Sequence, residues 1–333
     1  MVEAFAPESK NSTTTTVKPL VIDLFMYNGE PMGLYRMMYL QDYVDKFIVV
    51  ESLETHQLVT NPKETYFIDA AEPILEKLRM EGKLEVLRID SVPMDTFELS
   101  KLNPKKPKMV RNEVREKAWH REIYMRNIGL EMVYKVANQA PFILIHGDAD
   151  ELPKQHVVEK FRDHYDYIDD GKRLEMTQHI YNFKFLKEKK KVNKKENKSP
   201  IMWDHAFVIT DKGIISANAT LNEMRLLPKF IESMEKIHGA GWHCSWCSGA
   251  DGIIRKMESF SHTERNKDRF KKKDVIEGKL RDGIALFSDD KLPINSCRDG
   301  LDSPYDNKVS TREFPFLFVN HCAPRKYYMR KMR

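Results

Sequence analysis

The sequence has few cysteines, no long apolar run and little excess of charge. No stretch approaches the roughly 18 consecutive apolar residues of a membrane-spanning helix, so we expect no membrane span. The net charge is only +5, and the basic residues come in separate blocks, so we expect no nucleic-acid partner. The 333 residues, 41% of them hydrophobic, suffice for one large globular domain or two small ones.

The four cysteines are Cys244, Cys247, Cys297 and Cys322. The first two have CxxC spacing, and His243 and His321 each precede a cysteine, which is a set that a four-ligand zinc site would use. A matching second CxxC is missing, so the sequence favours buried or partly buried free thiols over zinc.

Apolar runs alternate with helical patterns in the first half of the chain. Strands are predicted at 20–25, 47–51, 66–69, 84–89 and 141–146, and helices at 31–40, 73–80, 112–137 and 155–165. This alternation indicates an α/β fold with a largely parallel sheet. The second half predicts antiparallel strands at 173–185 and 204–209, helices at 250–260 and 273–280, and a last strand at 314–320.

Asp148 and Asp150 directly follow the strand predicted at 141–146, within the run GDADELP. The carboxyl ends of parallel strands form the edge where α/β sheets bind ligands. Alternate residues of an extended segment point the same way, so the two carboxylates could share one target. Such oxygen ligands suit Mg²⁺ or Mn²⁺, which commonly bridge to phosphates. The alternative is a solvated acidic turn in which an aspartate caps the next helix.

Further motifs accompany GDADELP in a fixed order: FMYNGEP at 25–31, VDKFIVVES at 44–52 with Thr55 and His56, a helix with Trp119, Arg121, Glu122 and Arg126, GWHCSWC at 241–247, and SFSHTE at 259–264. Together they resemble glycosyltransferase family 17, over about residues 19–325. That family includes β-1,4-mannosyl-glycoprotein β-1,4-N-acetylglucosaminyltransferases.

The resemblance implies a GT-A-like fold, with a Rossmann-type, mostly parallel sheet and a mixed acceptor-side half. We expect one domain at 19–325, divided into a nucleotide-binding half at 19–153 and an acceptor half at 154–325. The resemblance also implies Mn²⁺ or Mg²⁺, a nucleotide-sugar donor (most simply a UDP-sugar), inversion at the anomeric carbon, and a glycan or glycoprotein acceptor such as an N-glycan. The lysine-rich loop 187–198 departs from the family pattern and leaves the donor sugar and acceptor open.

Residues 1–18 are rich in serine and threonine without an apolar signal core, and 326–333 form a basic tail. We expect the first segment to be disordered. The expected location is the cytoplasm, including the host cytosol for a viral protein, or the Golgi lumen if an N-terminal anchor has been removed.

Several residues are candidates for the metal and donor site. Asp150 is the predicted direct metal ligand, Asp148 the contact to the ribose or to the metal's water shell, and His243 a further metal ligand. Arg126 is predicted to hold a phosphate or to orient Asp148. Its alternative is a surface arginine paired with Glu122 one helical turn away.

Glu51 ends a predicted strand and is a candidate for binding the nucleoside. Trp242 and Trp246 flank His243 and are candidates for bracketing a sugar, with core packing as the alternative. An inverting transfer also needs a general base. Asp251 is the predicted base, with Asp204 and Glu151 as competitors and helix capping as the alternative role of Asp251.

Two other functions remain open at this point. A nucleotidyltransferase would also bind a nucleotide and metal through strand-end carboxylates, but its Gly-rich loop with a basic residue is missing at Asn28-Gly29-Glu30. A catalytically inactive carbohydrate-binding protein could use the same fold, although both aspartates are retained. The sequence does not predict the oligomeric state.

Overall fold

The computed structural model describes residues 18–57, 65–94, 113–188 and 200–294. The predictions for most of segment 1–18, the basic block 101–108, most of the block 184–198, the strand 314–320 and the tail 326–333 lie outside these residues, as do Cys297, His321 and Cys322.

Within the described residues, ten strands form one sheet. They are β1 (Leu20–Met26), β2 (Lys46–Ser52), β3 (Leu84–Ile89), β4 (Phe142–His146), β5 (Glu151–Pro153), β6 (Lys172–Ile180), β7 (Asn182–Leu186), β8 (Met202–Trp203), β9 (Phe207–Thr210) and β10 (Glu235–Ser245). The helices of the same residues are α1 (Pro31–Leu40), α2 (Pro73–Met80), α3 (Glu113–Ala137), α4 (Gln155–Phe161), α5 (Asp211–Ala217), α6 (Leu221–Leu226), α7 (Pro228–Ser233), α8 (Ala250–Ser259) and α9 (Lys273–Asp282).

The strand order is β3-β2-β1-β4-β9-β6-β10-β5, and β7 and β8 also pair with β6. Strands β3, β2, β1 and β4 are parallel neighbours, which confirms the predicted parallel first half. Beyond β4 the sheet is mixed, because β9 is antiparallel to β4 and β6 while β10 is parallel to β6 and antiparallel to β5. The α/β class is confirmed, and one sheet runs through both halves of the chain.

Alternation along β1 divides the core between the two faces of the sheet. Val21 and Phe25 pack into one apolar cluster, while Ile22 and Leu24 pack into the other. Asp23 points to the first face and is fully buried, where Arg36 of α1 binds it through two hydrogen bonds of 2.6 and 2.7 Å. A buried carboxylate is tolerated there because a charged partner satisfies both oxygens.

The strand predicted at 66–69 is wrong. Phe67–Asp69 instead form a 3₁₀ turn, and its first two backbone N–H groups donate to the carboxylate of Glu51 at the end of β2. An acidic side chain that captures turn amides outweighs the β propensity of Tyr66 and Phe67. In the described part of the chain, no helix combines the length and hydrophobicity that crossing a bilayer requires.

Candidate active site

A cavity of about 660 Å³ lies at the carboxyl-terminal edge of the parallel strands. Its walls come from the segments after β1, β2 and β4, which is the arrangement expected for a ligand site on an α/β sheet. The opposite wall comes from the ends of β6, β10 and α8 and from residues 285–292. Asp148, Asp150 and His243 all line this one cavity, so the structure brings together the three predicted metal-site residues.

The segment that carries the two aspartates is a turn, whereas the sequence predicted an extended strand end. The N–H of Glu151 donates to the carbonyl of Asp148 at 3.0 Å, and the N–H of Asp148 donates to the Glu151 carboxylate at 2.9 Å. Gly147 fits because Glu151 folds back against it: a Cβ at 147 would lie 2.6 Å from Glu151 Oε2. In this turn the two aspartates contact different partners, so the predicted shared target is not seen.

Asp148 is bound by two arginines. Arg126 donates to its Oδ1 at 3.0 Å, and Arg225 of α6 donates to its Oδ2 at 2.6 Å. Arg126 is 2% exposed and also bonds Glu122, so it has both predicted partners but is not a surface residue. Burial opposes ionisation of Asp148, yet Arg225 and Arg126 lower its pKa far below the ordinary value.

Arg225 is also the buried partner of Glu151. Its guanidinium bonds both Glu151 oxygens at 2.6 and 2.9 Å, and the indole N–H of Trp203 donates to the same carboxylate. Helix α6 is held in place by a capping box at Thr220 and by its packing against α3. The arginine that fixes the aspartate turn therefore comes from a short helix far along the chain.

Asp150 is bound by a lysine and a histidine. Lys256 of α8 donates to its Oδ2 at 2.8 Å, and His243 Nε2 lies 3.5 Å from its Oδ1. Burial by itself would raise the pKa of Asp150, but Lys256 and His243 lower it well below the ordinary value. His243 reaches this position because β10 pairs with β5, which places it opposite Glu151, directly after Asp150.

Asp150 and His243 offer ligands of the kind that a divalent cation needs. Among the described residues, no three His, Cys, Asp or Glu side chains form a metal cluster by themselves. Mg²⁺, however, is commonly bound through one or two carboxylates together with substrate phosphates, and imidazole is a suitable ligand for related metals. His243 Nδ1 is buried without a hydrogen-bond partner, while Nε2 lies 3.2 Å from the Ser245 hydroxyl and 3.5 Å from Asp150 Oδ1. The donor set therefore fits a cation completed by a diphosphate, although Asp148 is already occupied by its arginines.

Cys244 and Cys247 form a disulfide, so the expected free thiols are wrong for this pair. The bond also removes the two thiolates that the zinc alternative would need. Zinc ligation by His321 would involve a residue outside the described ranges. The disulfide closes the end of β10, where the N–H of Cys244 donates to the carbonyl of Asp150 at 2.8 Å.

Glu51 is fully buried and does not line the cavity. Its two oxygens accept hydrogen bonds from the N–H groups of Phe67 and Ile68 at 2.8 and 2.9 Å. The structure therefore replaces the predicted nucleoside contact with a structural role in binding the 3₁₀ turn.

The two tryptophans of GWHCSWC have different environments. Trp242 packs in the core near Tyr39 and does not line the cavity, because it lies on the face of β10 opposite to His243. This corrects its predicted sugar contact. Trp246 lies in the cavity wall, where its ring meets Phe260 and Phe287 edge to face at 5.2 and 5.3 Å.

The predicted general base is misplaced. The Asp251 side chain is 74% exposed, pairs with Lys273 at 2.7 Å and does not line the cavity. Its competitors fail as well, because Asp204 pairs with Lys236 outside the cavity wall and Glu151 is fully buried against Arg225. Asp251 and Lys256 are five residues apart on α8, which places them on different faces of the helix.

Comparison with known families identifies the family of the chain. The sequence model of glycosyltransferase family 17 matches residues 94–296, more than half of the chain. The matched range contains the aspartate turn, β10 and α8, whereas the motifs at 25–31 and 44–52 precede it. A search of curated proteins finds no match. The chain belongs to glycosyltransferase family 17 and is a glycosyltransferase.

Proposed function

We propose that the protein is a metal-dependent, inverting glycosyltransferase of GT-A-like fold, which transfers a sugar from a UDP-sugar to a hydroxyl of a glycan. The observation that supports this most is that Asp150 and His243 line the same cavity as Asp148 at the carboxyl edge of the parallel strands. The parallel order β3-β2-β1-β4 followed by a mixed half supports the GT-A-like assignment.

In this proposal Asp150 and His243 hold Mn²⁺ or Mg²⁺. Once bound, the cation would neutralise the donor diphosphate and stabilise the leaving group. Asp148 keeps the turn in place through Arg126 and Arg225 rather than by direct coordination. Lys256 binds the Asp150 carboxylate, which is also the proposed cation ligand, and supplies a second positive charge for the diphosphate.

The nucleoside is assigned to the ends of β1 and β2. Tyr27, Ser52, Thr55 and His56 line the cavity there and offer an aromatic ring with polar groups. The acceptor is assigned to the opposite wall around Trp246, because aromatic rings pack well against the C–H faces of sugars. An inverting transfer is a single displacement, so donor and acceptor must meet between these two walls.

The test is a screen of UDP- and GDP-sugars with and without Mn²⁺, read by thermal stabilisation and by release of nucleoside diphosphate. A donor at a hundred times its Kd should stabilise the fold by about 2.7 kcal/mol. Asp150→Ala should abolish the Mn²⁺-dependent part of both signals. Asp166→Ala is the matched control, because Asp166 also pairs with a lysine but on the exposed surface. Full turnover by Asp150→Ala, or after complete chelation of metals, would contradict the proposal.

A further inference from the structure

The segment after α8 carries a histidine–carboxylate pair on the cavity wall. His262 lines the cavity, and its Nδ1 lies 2.8 Å from Oε1 of Glu264. We propose that His262 is the general base that takes the proton from the acceptor hydroxyl, and that Glu264 is the residue that orients its ring. This inference rests on the proposed transfer reaction and names the base that Asp251 does not supply.

Two aromatic rings contact the ring of His262. It meets Trp119 of α3 edge to face at 5.0 Å and lies 5.4 Å from the ring of Phe260. With Nδ1–H donating to Glu264, the lone pair is on Nε2, on the other side of the ring. The side chain is 45% exposed, which leaves it accessible to a substrate in the cavity.

A chain of hydrogen bonds joins this segment to the aspartate turn. Arg126 bonds both Asp148 Oδ1 at 3.0 Å and Glu122 Oε1 at 2.8 Å. The hydroxyl of Ser261 donates to the other oxygen of Glu122. His262 directly follows Ser261, so its backbone is positioned by the same network that fixes the donor-side turn.

Most of the other cavity carboxylates are less suited to accept a proton, and Asp290, which accepts from the Ser288 hydroxyl at 2.9 Å, is the competing base in this cavity. Asp148, Asp150, Glu54 and Glu122 each pair with an arginine or lysine. Burial opposes ionisation of Glu122, but Arg126 and His56 still lower its pKa. A carboxylate that a cation holds in its charged form is a weak base. Glu30 accepts from the N–H of Asn28 at 2.8 Å, next to Lys256 in the cavity wall and thus on the donor side.

The proposed step is balanced in protons and electrons. The acceptor O–H gives its proton to His262 Nε2 while the oxygen forms a bond to the anomeric carbon of the donor. The bond from that carbon to the diphosphate oxygen breaks, and its electron pair leaves with the nucleoside diphosphate. The imidazolium that forms is stabilised by the Glu264 carboxylate, which stays ionised because His262 bonds it and lowers its pKa despite partial burial.

The elements packed around this segment contribute further charged and titratable groups. Besides Glu264, these are Arg115, Glu122, His56, Lys256 and Arg265. Arg115 is 3.9 Å from Glu264 and shares that carboxylate with His262. A pH experiment must therefore change His262 and Glu264 separately.

The experiment measures the pH dependence of donor turnover, with water or a panel of methyl glycosides as acceptor and release of nucleoside diphosphate as the readout. In the wild type, turnover should fall on the acid side as the base becomes protonated. His262→Gln should lower kcat by about 10²- to 10⁴-fold and remove this acid limb. Glu264→Gln should move the limb to lower pH, because the imidazolium loses its carboxylate partner. Added imidazole should restore part of the activity of His262→Ala.

Two measurements separate catalysis from folding. UDP affinity of His262→Gln should equal that of the wild type, because the proposed role of His262 is to take a proton from the acceptor and not to bind the nucleotide. His238→Gln is the matched control, since His238 also pairs with a glutamate, Glu175, at 2.7 Å but is 78% exposed and lies outside the cavity wall. Its pH profile should be unaltered.

The outcomes distinguish this inference from the proposed function. A wild-type protein that turns over no nucleotide-sugar rejects the proposed function, and the assignment of the base falls with it. If the wild type is active and His262→Gln keeps the acid limb of the pH profile, the role of His262 as base is rejected while the proposed function stands. Loss of that limb in Glu30→Gln instead would assign the base to the donor side and overturn the inference.

Discussion

The two aspartates of the turn belong to one motif but to different surroundings. Asp148 lies between Arg126 and Arg225, which are 2% and 3% exposed and also serve Glu122 and Glu151. Asp150 has a lysine from α8 and a histidine from β10. The first set is a buried ionic network that fixes the shape of the turn, while the second offers a carboxylate and an imidazole that a cation can share. Identical side chains two residues apart thus have different partners.

The largest expected effect is on stability and comes from removing an arginine that binds Asp148. Arg225→Met would leave the fully buried Glu151 and part of Asp148 without their cation. Removing one partner of a buried ion pair costs about 3–5 kcal/mol, so the free energy of unfolding in urea should fall by that amount. Lys236→Met is the control, because Lys236 pairs with Asp204 at the surface and should change stability by less than about 1 kcal/mol. Equal stability of the two variants would show that the network on Asp148 is not structural.

A smaller effect, on metal affinity, is expected when the lysine that binds Asp150 is removed. Lys256→Met removes the group that competes with a cation for Asp150 Oδ2. Mn²⁺ affinity should therefore rise by about tenfold, or about 1.4 kcal/mol, while UDP affinity falls. Isothermal titration calorimetry with Mn²⁺ alone and with UDP measures the two constants. Lys273→Met, which affects only the exposed pair with Asp251, should change neither. An unaltered Mn²⁺ affinity in Lys256→Met would show that the lysine and the metal do not share this carboxylate.

The smallest effect is expected at low pH, in the difference in the free energy of unfolding between the wild type and Asp150→Asn. The pKa of Asp150 is lowered in the fold, because Lys256 and His243 outweigh the effect of burial. A carboxyl group whose pKa is lowered by folding stabilises the protein above its unfolded pKa of about 3.9, and this contribution is lost as the pH falls further. The stability difference between wild type and Asp150→Asn should therefore shrink below about pH 4, by at most about 1.4 kcal/mol per pH unit. Urea unfolding from pH 3 to 7 measures it, and a difference that stays constant with pH would contradict the ionised state assigned to Asp150.

The sequence predicted the parallel half well because its signals are local. The apolar runs of β1, β2 and β4 and the helical spacing of apolar residues in α3 define these elements without reference to the rest of the fold. The aspartate turn follows β4 directly, and strand connectivity places it at the ligand edge. Metal coordination at that turn stays a prediction.

The missed residues depend on tertiary contacts. Arg225 and Lys256 are on the short helices α6 and α8, and only the fold reveals that they face Asp148 and Asp150. Two of the wrong predictions, for Trp242 and Glu51, conflict with local signals in the sequence. Trp242 is adjacent to His243 in a strand, so the two side chains had to lie on opposite faces. Glu51 follows a fully apolar run, which already indicated a buried position rather than an open one.

Glu151 folding back beneath Gly147 has a consequence for how such chains are compared. The first and last residues of Gly-Asp-Ala-Asp-Glu must suit each other, since any side chain at 147 would collide with the carboxylate that anchors α6. A relative that kept both aspartates but carried a bulkier residue at 147 would pass a scan for the acidic pair and yet have a displaced anchor. The pentapeptide, rather than the two aspartates, is therefore the unit by which an intact site can be recognised.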